Sequence, residues 1–541
     1  SDTVGVGDVV TYGAGTAYIA GRTSSTVYAL QTATGSVPGN VTDSAVTSIT
    51  RAFDSLTAAE SGSSTLLGFT DLVANNTQLN WACYDDGPMN DGDITINGWT
   101  TGPASYIRIF TPVTSAQVGV SQRHDGVAGS GFRLVPAVDA GGVQYHVLQV
   151  VEDYVRIEGL EIDGSNITNG DFLRAIEVGG NLASDIRLDS LVVHDFANAQ
   201  QGNDADVFVI NIPSEGSTRI SNSVFYGFEN RDDTSTTSLS VIHYTGGPAL
   251  SHYLHNVTIY DVTNTASTSY ARGVNNAQGT AVTAKNVAVL DVINSVNPSN
   301  ADCFNGVEAS WSHNVSSDDT AVCTDCQTGQ TDYANYFLSV TPGSEDLHLV
   351  NDSLTLWGSS GADLDSDPNL PILVDIDGEP RDADAPDIGA DEVAAGSSTL
   401  TLADHPSGQV SNAFGATTPV TATLFQLRLI RLGTVTIDVL RASFGTGTGV
   451  ASADVAGGEL WEDTNGNGTW DDTAGGDTLI QGAVVGSGGA LTFTNDFTPA
   501  ATGTTYFVRA TVSNLEAGDS VTFSVGTGDI DVVEGGVSES G

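Results

Sequence analysis

The residues from Asp463 to Asp472 read Asp-Thr-Asn-Gly-Asn-Gly-Thr-Trp-Asp-Asp, an order in which a chain can wrap a calcium ion. Side-chain oxygens stand at the first, third and fifth places (Asp463, Asn465, Asn467), and Gly468 supplies the turn at the sixth. Thr469 can offer its carbonyl, and Asp471 or Asp472 a further carboxylate. Ala474 stands where the bidentate glutamate of such loops belongs, which leaves Asp477 as the acid able to close the shell. Calcium is therefore the expected cofactor, against the plainer reading of a hydrated Asn-Gly turn. Weaker acidic groups lie at Asp363, Asp365 and Asp367, where Pro368 replaces the turning glycine, and at Asp375, Asp377, Asp382 and Asp384.

A second chemistry is suggested by bases at matching positions: Arg156, Arg187 and Arg219, with His255 and Lys285 in a neighbouring column. Stacked on adjacent strands, they would form a strip able to hold an acidic polysaccharide. Lyase chemistry needs such a base, together with a cation to neutralise the uronate. Glu158 and Asp189 stand beside the first two arginines, so the stronger reading is a self-neutralised surface ladder. A glycoside hydrolase needs two carboxylates instead. Asp195, Asp261 and Asp291 recur at corresponding places, with Asp204, Asp206, Asp232 and Asp233 nearby, but in so acidic a chain no pair stands out. No catalytic residue is assigned.

The four cysteines, Cys83, Cys303, Cys323 and Cys326, make an even count that predicts two disulfides in an exported protein. Cys323-Thr-Asp-Cys326 is also half of a zinc site, yet no histidine completes it.

The elements that position these residues follow from a repeat. Val155-Arg-Ile-Glu-Gly-Leu-Glu-Ile162 returns as Ile186-Arg-Leu-Asp-Ser-Leu-Val-Val193, and again around Asn222, Asn256, Asn286 and Asn314. The period is roughly thirty residues, with β-branched alternation and no helical spacing, which predicts one solenoid coil per repeat. The aligned residue (Gly159, Ser190, Asn222, Asn256, Asn286, Asn314) sits at a sharp corner, where a left-handed backbone favours Gly or Asn. Stacked asparagines can also bond to one another along the axis. Ile157, Leu188, Ile220, Leu254, Ala284 and Ser312 then point inward, while Glu158, Asp189, Ser221, His255, Lys285 and His313 point out.

Residues 40–392 are thus predicted to form a parallel β-helix with an N-terminal cap, and 393–398 a linker. Alternating strands between Gly/Asp turns make 399–541 an antiparallel, Ig-like β-sandwich, so the fold class is all-β. Residues 1–39 stand apart. Val4, Val6, Val10 and Tyr12 share one alternating face, an extended apolar strand with no obvious local partner.

The charge balance restricts partners. The 66 acidic residues against 17 Lys plus Arg give a net charge of −49, and Lys285 is the sole lysine. Such a surface repels nucleic acid and anionic lipid and suits a hydrated extracellular or cell-surface setting. No apolar run is long enough to insert in a membrane, and the chain reads as a mature product whose signal peptide is gone.

Several stretches resemble secreted bacterial right-handed parallel β-helix proteins of the pectate-lyase-like superfamily. They include Arg51-Ala-Phe-Asp-Ser-Leu56, Gly98-Trp-Thr-Thr-Gly102, and Arg123-His-Asp-Gly126 before Phe132-Arg-Leu134. Asp346-Leu-His-Leu349, Asp375-Ile-Asp-Gly378, Arg381 and Pro386-Asp-Ile-Gly-Ala-Asp-Glu392 resemble the closing coil of its choice-of-anchor group. That likeness implies the fold and surface export but not an activity, because the superfamily includes lyases, hydrolases and adhesins. The reading that follows is a non-catalytic extracellular structural protein whose partner is its own copy, with Val4 to Tyr12 donated as a strand to a neighbouring subunit. The alternatives are a carbohydrate-active enzyme and a glycan-binding adhesin that does not assemble, both with a polysaccharide as partner.

Overall fold

A coil can stack only if its corners bend alike, and here they do. Gly159, Ser190, Asn222, Asn256 and Asn286 all adopt left-handed angles, with φ of 74°, 53°, 46°, 53° and 55°. At Gly159 space adds to the requirement, since a Cβ there would lie 2.4 Å from Thr111 Oγ1 and 2.8 Å from Arg123 Cδ. Asn286 donates to Asn256 Oδ1 (3.0 Å) and Asn256 to Asn222 Oδ1 (3.5 Å), the expected axial ladder.

The computed structural model describes residues 2–539 except 14, 40–43, 137–144, 168–171, 180–184, 199–205, 214–215, 232–236, 247–250, 266–268, 277, 351–359, 384–385, 394–398, 406–407, 410–418, 433–434, 445–448, 501–502 and 533–535. The predicted linker, bar Val393, and the acids Asp204, Asp232, Asp233 and Asp384 lie outside the described residues. The chain divides into two compact units, Ser1–Val393 and Ala394–Gly541.

The first unit is a parallel β-solenoid. One sheet stacks Leu79–Ala82, Ile107–Phe110, Val155–Glu158, Ile186–Asp189, Thr218–Asn230, Ser251–Asn264, Ala281–Asn294 and Val315–Ser316 in chain order. A second, seven-stranded sheet stacks Ile94–Ile96 through Ala301–Asn305 in the same order. The register pairs Ile157 with Leu188, Leu188 with Ile220, Ile220 with Leu254 and Leu254 with Ala284, so the inward column is one continuous core.

The last coil departs from the alignment by one residue. Ser312, expected inside, bridges Lys285 in the outward column, and buried Trp311 takes the inward place. The left-handed corner is accordingly His313 (φ 54°), not Asn314. Trp311 fills the core beyond the small Ala284, and its indole N–H donates to Val282 O (2.8 Å).

Helix Leu56–Leu67 covers the N-terminal end of the core, as a solenoid requires. Ser55 caps it by accepting from Ala58 N–H, Gly68 (φ 79°) ends it, and Trp81 donates to Ser63 Oγ (3.0 Å). The sequence reading places a cap in this region but no helix.

The N-terminal segment has local partners, which corrects the isolated-strand expectation. Val9–Tyr12 pairs antiparallel with Gly15–Ser24 on one side and with Val46–Thr50 on the other. Val10 and Tyr12 are buried with Ala17 and Ile19, and Val4 packs against that cluster. The Val6 N–H donates to Gln117 O (3.0 Å), and its carbonyl accepts from the Tyr84 hydroxyl (2.8 Å). Both hydrogen-bonding edges of the strand are used within the chain.

The second unit is a sandwich of antiparallel strands, save for the parallel edge pair Thr399–Asp404 and Gly536–Glu539. A six-stranded sheet centred on Thr504–Val512 and Val420–Leu432 faces a four-stranded sheet built on Ile437–Phe444. Leu427, Leu460 and Val508 from the first share one core with Leu440, Ala442 and Phe493 from the second.

Candidate functional site

The basic strip forms in the predicted register, since Arg156 pairs with Arg187, Arg187 with Arg219, and His255 with Lys285. It is not an open cationic surface. Asp185 pairs with both Arg187 (2.7 Å) and Arg219. Arg156 lies over the Tyr106 ring at 3.7 Å. The neutralising acids differ from those expected. Glu158 binds Arg108 (2.8 Å), an arginine the sequence reading missed, and Asp189 accepts from Ser221 Oγ (2.6 Å) and Ser190 Oγ (3.1 Å) at the corner.

Farther along, the chain covers its own strip. Leu364, Leu370 and Ile372 pack on Tyr253, and Asn369 O accepts from Arg219 Nε (2.7 Å). Asp367 binds Lys285 Nζ (2.9 Å). Burial alone would raise the Asp367 pKa, but the Lys285 bond and the N–H groups of Asn369 and Leu370 bring it below the usual carboxylate value. Asp367 thus serves the strip. His255 is fully buried, and burial lowers its pKa to about 4, so it is a neutral ring and contributes no charge.

Another outward face is sealed in the same way. Val192, Val224, Tyr226, Tyr260, Ala288 and Leu290 point away from the core, yet Tyr336, Phe337, Leu347, Leu349, Ile376, Ile388 and Ala390 bury them. The Ala390 N–H donates to Thr258 Oγ1 (2.9 Å), and Asn286 exchanges bonds with both backbone groups of Ala362. The signal was present in the sequence: Leu191-Val-Val193 and Val287-Ala-Val-Leu290 are apolar at consecutive residues, the mark of strands covered on both faces.

In the closing motif, weighed above as a calcium group, Asp375, Asp391 and Glu392 accept from backbone N–H groups, whereas Asp377 Oδ1 accepts from none. Buried Asp375 accepts from Gly378 and Glu379 N–H (2.9 and 2.7 Å) and from Glu392 N–H (3.2 Å). Asp391 accepts from Leu349 N–H (2.7 Å), and Glu392 from Asp387 N–H (2.8 Å) beside Arg381 (3.3 Å). Burial raises Asp391 to about 6 and Glu392 to about 7. His348, Asp377 and Asp391 could offer ligand atoms within 4.8 Å of one another, as could Glu161, Asp163 and His194. In the latter group burial disfavours the imidazolium. Its bonds to the carboxylates of Asp195 and Glu161 outweigh this and raise His194 to about 9.

Three aspartates lie on a further line of corners, with Gly227 on the coil between Asp195 and Asp261. Asp195, Asp261 and Asp291 are left-handed corners (φ 58°, 54° and 56°) on half-buried sites. Burial and then the charge of Asp291 raise Asp261 to about 6.

The cysteines do not pair as predicted. Cys323 and Cys326 form one disulfide, while Cys83 and Cys303 are buried free thiols, each raised by burial to about 12. The disulfide excludes zinc at that pair. It also fastens an extra rung: Cys326 Sγ accepts from Asn314 N–H (3.1 Å), and Thr324 and Gln327 bridge Ser312 and Val315.

In the second unit, Asp463 to Asp477 form the loop of the hairpin between Val455–Glu462 and Thr478–Val484, closed by the pair Glu462 and Thr478. Asp463 accepts from Asn467 and Gly468 N–H (3.2 and 2.9 Å) and from Thr505 Oγ1 (2.9 Å). Asn465 and Asn467 both donate to Asp471 Oδ2 (3.1 and 2.6 Å), and the Asn467 Oδ1 accepts from Thr469. Asp472 instead turns outward and accepts from Gly475 N–H (2.9 Å).

No family model matches the chain, and no curated protein matches it. Among solved structures, it is similar to the enzymatically active domain of tailspike protein 4 of bacteriophage CBA120. The identity is 9%, over 96% of this chain and 75% of that one, with a TM-score of 0.14. A likeness so slight carries no argument about activity.

Proposed function

We propose that the chain is a non-catalytic extracellular structural protein, a self-assembling subunit of a surface layer, fibre or adhesive appendage, built on a β-helix of the pectate-lyase-like kind. The observation that carries this reading is the covering of the strip at its Arg219–Lys285 end. A lyase needs its base and cation reachable by a polymer. Here Arg219, His255 and Lys285 lie beneath the chain's own residues 362–373, paired or neutral. The net charge of −49 and a disulfide suit an oxidising, hydrated exterior.

Assembly through donation of Val4 to Tyr12 loses its motive, because that strand is paired on both sides. The same sheet offers an acceptor. Val46–Thr50 is its edge, all five residues are exposed, and Val46 and Ile49 show 58% and 38% of their surface. Uncharged open edges of this kind pair with other chains. Electron microscopy of the purified protein is expected to show polymers, and a Val46→Lys/Ile49→Lys variant to stay monomeric with an unchanged circular dichroism spectrum. A wild-type protein that remains monomeric at high concentration overturns the structural reading. A variant that polymerises normally removes this edge from it.

One observation favours a second reading, a glycoside hydrolase. Asp261 and Asp291 are neighbours on adjacent coils, where strands lie about 4.8 Å apart, and one of them holds its proton to about pH 6. Reducing ends released from a polysaccharide by the native chain, and lost in Asp261→Asn, establish that alternative.

A further inference from the structure

The hairpin loop of the second unit holds one carboxylate oxygen without a partner. Asp477 is 2% exposed, and its Oδ1 makes no hydrogen bond, while Oδ2 accepts from Asp471 N–H (2.7 Å). A buried carboxylate oxygen left so is costly, and it calls for a cation or a donor. The charged groups around it are the carboxylates of Asp463 and Asp471. Asp463, its counterpart at the start of the loop, is itself 7% exposed and held by three donors.

From this geometry we infer that residues 463–477 form a calcium site closed by Asp477. Calcium takes six to eight oxygens, which suits Asp463, Asn465, Asn467, the Thr469 carbonyl, Asp471 and Asp477. Asp472 is excluded, because its carboxylate caps the turn at Gly475 on the exposed side. The chemistry favours calcium over magnesium, since a long loop with mixed carboxylate, amide and carbonyl donors adapts to a large ion and lacks rigid octahedral order. Loops of this length without secondary structure also need a reason to be ordered. The role of the ion is to fix this hairpin, whatever the whole chain does.

Trp470 lies within the loop, with Trp461 beside it at 5.7 Å between ring centroids, so terbium serves as a luminescent probe of the full chain. Tryptophan excitation is expected to give saturable terbium emission that calcium displaces and magnesium at the same concentration does not. Asp477→Asn and Asp463→Asn should weaken binding at least about tenfold, Asp471→Asn similarly, and Asp472→Asn less than about twofold. Asp471 is only half buried, so its variant keeps the test valid if the other two fail to fold. Absence of saturable emission overturns the site, and equal loss in the Asp472 variant reduces it to diffuse binding by an acidic surface.

Discussion

At the scale of single residues, burial decides which groups carry charge. His124, 1% exposed, shows this most simply: its Nε2 lies 2.8 Å from Ser190 O, and its Nδ1 accepts from Gly126 N–H (3.2 Å). Both bonds require the neutral ring with its proton on Nε2. Burial, then the Arg123 charge, lowers its pKa to about 4 from an ordinary 6.5. A histidine held neutral contributes stability that is full above the unfolded value and is lost as pH falls from about 6.5 through 4. Denaturation of wild type and His124→Gln across that window should show the stability gap shrinking by roughly 2–3 kcal/mol towards acid. A gap that does not change with pH contradicts the assigned tautomer. The Arg123-His124 pair of the sequence reading thus fixes a turn.

At the scale of elements, the corner is the unit that the sequence specifies. A left-handed backbone and an axial amide bond both select asparagine, so Asn222, Asn256 and Asn286 mark three successive coils. Replacing buried Asn256 removes the ladder bonds on both sides. Asn256→Ala should cost about 2–4 kcal/mol, combining lost bonds with a strained corner, and Asn256→Gly about 1 kcal/mol less because glycine relieves the strain. Chemical denaturation of the two variants checks the order. If alanine costs no more than glycine, backbone conformation is not what selects these corners. Elements held by distant contacts were not legible in this way. The helix Leu56-Thr-Ala-Ala-Glu-Ser-Gly-Ser-Ser-Thr-Leu-Leu67 is rich in small polar residues and offers only a faint apolar stripe. Val9–Tyr12 meets Val46–Thr50 across two intervening strands, which no local pattern announces. The last corner slipped to His313 because the bulk of Trp311, rather than the asparagine, sets where that coil turns.

At the scale of the first unit, the core and the repeat were readable, whereas the covering of its outer faces was not. A period of two or of thirty reports what lies inside a coil. It is silent on which later segment returns to lie outside, and Leu364 to Ile376, with Ile388 and Ala390, return without a repeat of their own. Candidate sites shared that limit. The loop at Asp463 is contiguous, so the ligands proposed for it could be read from spacing. The residues from Arg156 to Lys285 stack in the register the repeat predicts, yet their pairing depends on Asp185 and Asp367. The account of a scaffold rather than an enzyme rests on that pairing, and the sole lysine reports on it. Amine labelling followed by peptide mapping should modify Lys285 several-fold more slowly in the native chain than in the unfolded one, since its amine is held by Asp367 (2.9 Å) on a side chain only 26% exposed. Asp367→Asn should speed the reaction without unfolding the solenoid. Labelling of Lys285 at the unfolded rate in the native protein would mean that the strip is open, and the central claim would be wrong.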